Sequence, residues 1–221
     1  MGKPFTATFA LLSSGPVAAA SIGQVYKATL LATNTTVAIK IQRPGVAPQI
    51  ALDLYILRWW SKLWSRAAQL AGKDIDVEGI IDDFGELIYA EIDYRAEGRN
   101  AVAFGEEYKD LGDVVTVPGI YEELTTSKVL VMDWIDGVRL TDTAQITKLG
   151  LSRRKLVDSM VQCSLRQILD NGFYLADPHG SNLLAMPDGK LAYLDFGMMG
   201  YCTQKQRSGF LLAVVLMVDR D

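Results

Sequence analysis

Histidine and cysteine are almost missing from this chain of 221 residues, which has one His and two Cys. His179 has no second His or Cys near it in sequence, so the usual zinc clusters are excluded and a structural or loop-orienting role is expected. Cys163 and Cys202 cannot build a disulfide framework. Excess charge is missing too. With 22 Lys and Arg against 26 Asp and Glu, the net charge of −4 and the lack of a basic tail argue against a nucleic-acid partner. The first twenty residues hold one Lys and no Arg, and Ser13, Ser14, Gly15 and Pro16 break their apolar run. They read as neither signal nor transit peptide. The late apolar run from Phe210 to Val218 is about half of a bilayer span. What remains is a globular composition, 49% hydrophobic, on a chain long enough for one domain or two small lobes.

The chemistry is concentrated between Leu175 and Gly197, in LADPHGSNLLAMPDGKLAYLDFG. Asp177 is followed five positions later by Asn182, then by apolar segments Leu183 to Met186 and Leu191 to Leu194 around Pro187-Asp188-Gly189-Lys190, then by Asp195-Phe196-Gly197. Pro fixes φ and Gly tolerates positive φ, so the two segments read as a hairpin. Asn182 at its entrance and Asp195 at its exit are hard oxygen donors suited to Mg²⁺. The D-x-x-x-x-N spacing followed by D-F-G is that of the kinase catalytic loop. Phosphoryl transfer asks a protein mainly for positioning and charge stabilisation, which Asp177, Asn182 and Asp195 can supply.

Residues 17–41 read as two strands around Thr33-Asn34-Thr35, the second ending in V-A-I-K at Ala38 and Lys40. In kinases that lysine pairs the nucleotide phosphates and is held by a Glu on the following helix. The preceding loop, Ala18-Ala19-Ala20-Ser21-Ile22-Gly23-Gln24-Val25, has the glycine-loop spacing with alanines in the first two glycine positions. Their methyls hinder close approach of backbone N–H groups to phosphate, so an altered ATP-to-ADP preference is expected.

Residues 50–71 predict an amphipathic helix with Ile56, Trp59, Trp60, Leu63, Trp64, Ala67 and Leu70 on one face. That face either packs within the domain or docks a partner or membrane surface. A second helix is expected from Asp76 to about Asn100, placing Asp93 and Glu97 on one face, with Lys40 as the cation to relieve their repulsion through Glu97. Val114 to Val117 and Lys128 to Trp134 read as strands, and Asp133-Trp134 opens a connector that in a kinase meets the adenine. Ser152 caps a helix expected to run to about Asp170.

Taken together, AAASIGQVY, VAIKIQRPG, EIDYRAEGRN, LADPHGSNLL and LDFG resemble the UbiB/AarF-domain atypical kinase-like family. The resemblance implies an α+β, bilobal protein-kinase-like fold. It implies Lys40 as nucleotide lysine, Glu97 as its helix partner, Glu91 and Asp93 as the family's E-x-D pair, Asp177 as catalytic-loop acid, and Asn182 and Asp195 as Mg²⁺ ligands. Ala18, Ala19, Ala20, Ser21, Gly23, Val25, Ala38, Asp133 and Trp134 are the further expected contacts of ATP or ADP. Residues 1–15 are expected to lie outside the match, 16–136 to form the first lobe with the Trp-rich helix inserted, and 137–221 to form part of the second. No K-x-G-Q segment precedes the alanine-rich loop and few residues follow Gly197, so the resemblance implies a fold truncated in the N-terminal extension and the C-lobe. Phosphoryl transfer or ATP hydrolysis, linked to ubiquinone or another prenyl-lipid at mitochondrial, plastid or bacterial membranes, is the implied activity. Two rivals stand beside it. An ordinary protein kinase is disfavoured because no A-P-E follows D-F-G, and a non-catalytic nucleotide-sensing or lipid-binding module would use the Trp59 to Trp64 helix.

Overall fold

The structure, a computed structural model, describes residues 4–70 and 76–218. Residue 71 of the expected Trp-rich helix lies outside the described residues. The elements in chain order are β1 (Phe9–Leu11), β2 (Ala18–Ala19), β3 (Gly23–Leu30), β4 (Thr35–Gln42), α1 (Val46–Leu70), α2 (Val77–Glu91), α3 (Tyr94–Glu107), β5 (Val115–Thr116), β6 (Val129–Asp133) and β7 (Val138–Arg139). They continue with α4 (Thr143–Lys148), α5 (Arg153–Arg166), β8 (Phe173–Leu175), β9 (Leu183–Ala185), β10 (Leu191–Tyr193), β11 (Met199–Tyr201) and α6 (Gln204–Val218). The fold is a mixed helix-and-sheet one, as the resemblance implies, in two compact units. The first comprises residues 1–96 and 122–131, the second 97–121 and 132–221. This grouping differs from a single cut after 136 by setting residues 97–121 and 132–136 with the later segment.

In the first unit the sheet order is β1-β3-β4-β6, with β2 paired to β3. β3 and β4 form the expected antiparallel hairpin, and Ala28, Leu30, Val37 and Ile39 are buried along it. α1 starts at Val46, earlier than expected, because Pro48 falls in the first turn, where the missing N–H breaks no helical bond. α1 meets α2 through Leu54 against Gly85 and an Arg58–Asp82 ion pair of 3.0 Å. The tryptophan face is not used for this: Trp59, Trp60, Leu63 and Trp64 are exposed among the described residues. Periodicity located the apolar stripe, but the neighbour packs on another side of the helix.

The single helix expected from Asp76 to Asn100 is two helices. Asp76 caps α2 by accepting the Gly79 N–H at 2.8 Å, and the chain turns at Ile92-Asp93. Three tertiary or capping bonds fix the break: Gln42 Nε2 donates to Ile92 O at 2.8 Å, Tyr94 N to Ser127 O at 3.2 Å, and Arg95 N to Asp93 Oδ1 at 3.1 Å. Asp93 therefore precedes α3, and it does not share a helical face with Glu97.

In the second unit the sheet order is β5-β10-β9-β7, and β11 pairs with β8. Ser152 caps α5 as expected, its Oγ accepting the Lys155 N–H at 3.3 Å. After Arg166 the helix widens into a π turn over Gln167–Asn171, which Gly172 closes at φ +76°. The core gathers Phe104, Tyr108, Leu156, Cys163, Leu183, Leu191, Tyr193 and Phe196. Burial, reinforced by the neighbouring Cys163, pushes the Tyr108 and Tyr193 hydroxyls up, and burial also raises the Cys163 thiol. All three are neutral when protonated, so the unfolded chain loses these protons first. Stability is intact below the ordinary values of 9.0 for Cys and 10.0 for Tyr and falls as pH rises past them. The Tyr193 hydroxyl has no partner of ordinary hydrogen-bond geometry among the described residues. Tyr193→Phe is therefore expected to leave stability near neutral pH almost unchanged and to flatten the decline in urea stability between about pH 9.5 and about pH 11.

Candidate functional site

The first unit presents the expected nucleotide loop and lysine on one face of its sheet. Paired residues of an antiparallel ladder share a face, so the register Ala18↔Val25↔Lys40 sets those three in one row across β2, β3 and β4. Ala38 and Lys27 form the next row on the same face. The alanine-rich segment is a tight hairpin in which Val17 N donates to Val25 O at 2.8 Å and Ala20 N to Gly23 O at 2.9 Å. Arg43 holds its tip, donating from Nε to Ala20 O at 3.0 Å and from its backbone to Ile22 O at 2.8 Å. Ala19, Ala20 and Ser21 are exposed there. The Ala20 N–H is thus withheld from a phosphate by an internal bond as well as by any methyl.

Tyr94 lies on this same face. Its ring centroid is 5.1 Å from Lys40 Nζ, and its hydroxyl occupies the space that a Cβ on Gly23 would need. Gly23 is glycine because of that approach and because Ile41 O is 3.1 Å from the same point. Gly23→Ala is expected to destabilise by about 1–3 kcal/mol through overpacking. Ala20→Gly, which meets no such contact, is expected to cost only about 0.5–1 kcal/mol through added backbone freedom. Urea unfolding of both variants checks the contrast. Glu91 ends α2 and Asp93 follows at the junction pinned by Gln42, so the E-x-D pair sits at a fixed turn.

In the second unit the hairpin of β9 and β10 is formed as read, with Tyr193 opposite Leu183. One rung further, Leu194 N donates to Asn182 O at 3.0 Å. Asn182 and Asp195 are thereby held at neighbouring ends of two bonded chains. Asp195 Oδ1 accepts the Gly197 N–H at 3.1 Å. Asp177 is exposed in the loop after β8 and accepts at its carbonyl from His179 N at 2.8 Å. The His179 ring orients this loop: Nδ1 lies 2.8 Å from Ser181 Oγ and accepts the Ser181 N–H at 3.3 Å. Asn182 N donates to His179 O at 2.9 Å. Asn182 and Asp195 suit Mg²⁺, a hard ion that typically takes one or two protein oxygens and fills its sphere with water and phosphate. No group of three or more His, Cys, Asp or Glu that could hold a metal occurs among the described residues.

Asp133 and Trp134 are also in this unit. The Asp133 carboxylate is committed to Gly119 N and the Tyr121 hydroxyl, each at 3.0 Å, and Trp134 Nε1 donates to Asp136 Oδ1 at 2.8 Å. The Asp133 carboxylate thus accepts one hydrogen bond at each oxygen within this turn. Glu97 is fully buried in the first turn of α3.

A model of the ABC1 atypical kinase-like domain matches residues 1–221. The chain belongs to this family. The match takes in residues 1–15, whose β1 pairs with β3 in the structure. The chain is similar to Protein ACTIVITY OF BC1 COMPLEX KINASE 3, chloroplastic, of Arabidopsis thaliana, at 45% identity over 96% of this chain and 30% of that protein. It is similar to protein sll0005 of Synechocystis sp. at 44% identity, over 100% of this chain and 32% of that protein. Among solved structures it resembles that of Rv3197 with erythromycin from Mycobacterium tuberculosis, with a TM-score of 0.69 and 28% identity over 91% of this chain and 48% of that one. The chain spans about a third of the length of the two curated relatives. No helix among the described residues is long and apolar enough to cross a membrane.

Within this ABC1 domain, three residues that brace the candidate site residues do not stand out in the sequence. Tyr94 was visible as the Tyr of E-x-D-Y, but its packing on Gly23 and Lys40 is tertiary. Gln167 is buried in the π turn, where its Oε1 accepts the Leu175 N–H at 2.8 Å and so anchors β8 just before Asp177. Asn100 on α3 donates to Phe196 O at 2.9 Å.

Proposed function

We propose that this ABC1 domain binds ATP or ADP with Mg²⁺ and carries the phosphoryl-transfer or ATP-hydrolysis chemistry of an atypical kinase. The observation that supports the reading is the Leu194–Asn182 rung, a backbone bond that sets Asn182 and Asp195 at neighbouring ends of the β9–β10 hairpin, from which both can offer hard oxygen donors. In this reading both hold Mg²⁺, and the ion neutralises phosphate charge when bound. Asp177, on the loop braced by His179, orients the attacking group. Lys40, in line with Ala18 and Val25, binds the phosphates. Glu97, a buried carboxylate in the first turn of α3, is the proposed partner of Lys40. The kinase names of the plant relatives agree with this chemistry. The link to prenyl-lipid or quinone metabolism and a plastid or bacterial setting rest on family membership and on relatives from chloroplasts and Synechocystis.

The test is thermal unfolding with ATP or ADP, each with and without Mg²⁺. A stabilisation that requires Mg²⁺, near 2.7 kcal/mol at about a hundredfold excess over Kd, is expected. No stabilisation, or the same one without Mg²⁺, counts against the reading. A second reading, a prenyl-lipid or membrane-surface partner, is favoured by exposed Trp59, Trp60 and Trp64 on α1. Liposome flotation of wild type and Trp60→Ser without nucleotide tests it, with loss of flotation in the variant as the expected result.

A further inference from the structure

Two hydrogen bonds in the second unit meet on one peptide group. The carbonyl of Phe196 and the N–H of Gly197 belong to the same planar unit. Asn100 Nδ2 donates to that carbonyl at 2.9 Å, and the N–H donates to Asp195 Oδ1 at 3.1 Å. A carbonyl only accepts, which fixes the Asn100 amide with its nitrogen inward. Hydrogen bonds in such a chain polarise one another, so the donor on the carbonyl strengthens the N–H that grips the carboxylate. The Phe196 ring is held from the same helix: it is fully buried, with its centroid 5.2 Å from that of Phe104, one turn after Asn100 on α3. α3 thus grips Phe196 at both ring and carbonyl. We infer that Asn100 is a positioning residue for Asp195, orienting its carboxylate toward the metal through the Phe196–Gly197 peptide. The consequence is that displacement of α3, the helix that carries Glu97, also releases Asp195.

The inference rests on Asp195 being a metal ligand, and one arm of its test does not. Asn100→Leu keeps the side-chain size and removes the donor. In the protein without nucleotide, exchange of the Gly197 amide followed by NMR should quicken about tenfold, the order expected for losing one hydrogen bond's support. Amides in β3 and β4 should be unaffected. In the ADP complex, the Mg²⁺ concentration at half-saturation, read by calorimetry, should rise by a similar factor while metal-free ADP affinity holds. Phe104→Leu loosens the ring contact but keeps the donor, and it should lower stability without moving the Mg²⁺ midpoint. If Asn100→Leu does not fold, Asn100→Asp, nearly isosteric and placing an oxygen against the carbonyl, takes its place with the same expectations. Unchanged Gly197 exchange, or an unchanged Mg²⁺ midpoint in a wild type that binds Mg-ADP, overturns the inference. A wild type that shows no Mg²⁺-dependent binding refutes the functional reading instead, and the exchange arm still decides whether Asn100 governs this peptide.

Discussion

Asp195→Asn is expected to raise the Mg²⁺ concentration that saturates the nucleotide complex by at least about 100-fold, because loss of even an outer partner of a metal ligand costs about 10–100-fold. The substitution keeps the side-chain shape and an oxygen able to accept the Gly197 N–H, so the local fold should survive. The charge and one oxygen acceptor are removed. Asn182→Ala should give a smaller rise, since a neutral oxygen is lost. Asp188→Asn is the control. Its carboxylate caps the turn of the same hairpin by accepting the Lys190 N–H at 3.1 Å, away from the entrance and exit. Mg²⁺ titrations in saturating ADP should therefore give wild-type midpoints for Asp188→Asn. A wild-type midpoint for Asp195→Asn would remove Asp195 from the metal site.

The second large effect concerns Glu97, a buried carboxylate near the start of α3. If it pairs with Lys40 as proposed, removing one partner while the other stays charged costs about 3–5 kcal/mol. Lys40→Met and Glu97→Leu should each lower urea stability by that order. The double variant should be less destabilised than the sum of the two, by a coupling of about 0.5–3 kcal/mol. Strict additivity would assign Lys40 to a different carboxylate, with Glu91 as the next to test.

The parts of this molecule legible in the sequence are those fixed by neighbours in the chain. The hairpin from Leu183 to Tyr193 follows from two apolar segments and a turn in which Gly189 takes φ +88°, and Thr33-Asn34-Thr35 turns with Asn34 at φ +55°. Ser152 capped its helix where a hydroxyl was expected. The break between α2 and α3 was not legible, because no Gly or Pro marks Ile92-Asp93 and the bonds that hold it come from Gln42 and Ser127. The same holds for Gly23. It stands where a glycine loop has one, yet the contact that demands it is with Tyr94, far along the chain. For α1 the pattern gave the stripe of tryptophans but not its environment, since an amphipathic period does not say which element covers the apolar side.

The interleaving of the two units bears on how the chain is made. Neither unit is a continuous stretch, and the division falls inside α3 and again inside β6. A ribosome that has released residues 1–96 has delivered β1 to β4 but not β6, whose neighbour in the sheet is β4. Until residue 128 emerges, Gln42 lacks the carbonyl of Lys128 to which its N–H donates at 2.9 Å, and β4 is an open edge able to pair with another nascent chain. Closing so long a loop is slow, and contacts between residues distant in sequence set the pace of folding. The first sheet is therefore finished only after the helices that interrupt it have been synthesised, and the interval before that is when this protein is most exposed to misassembly.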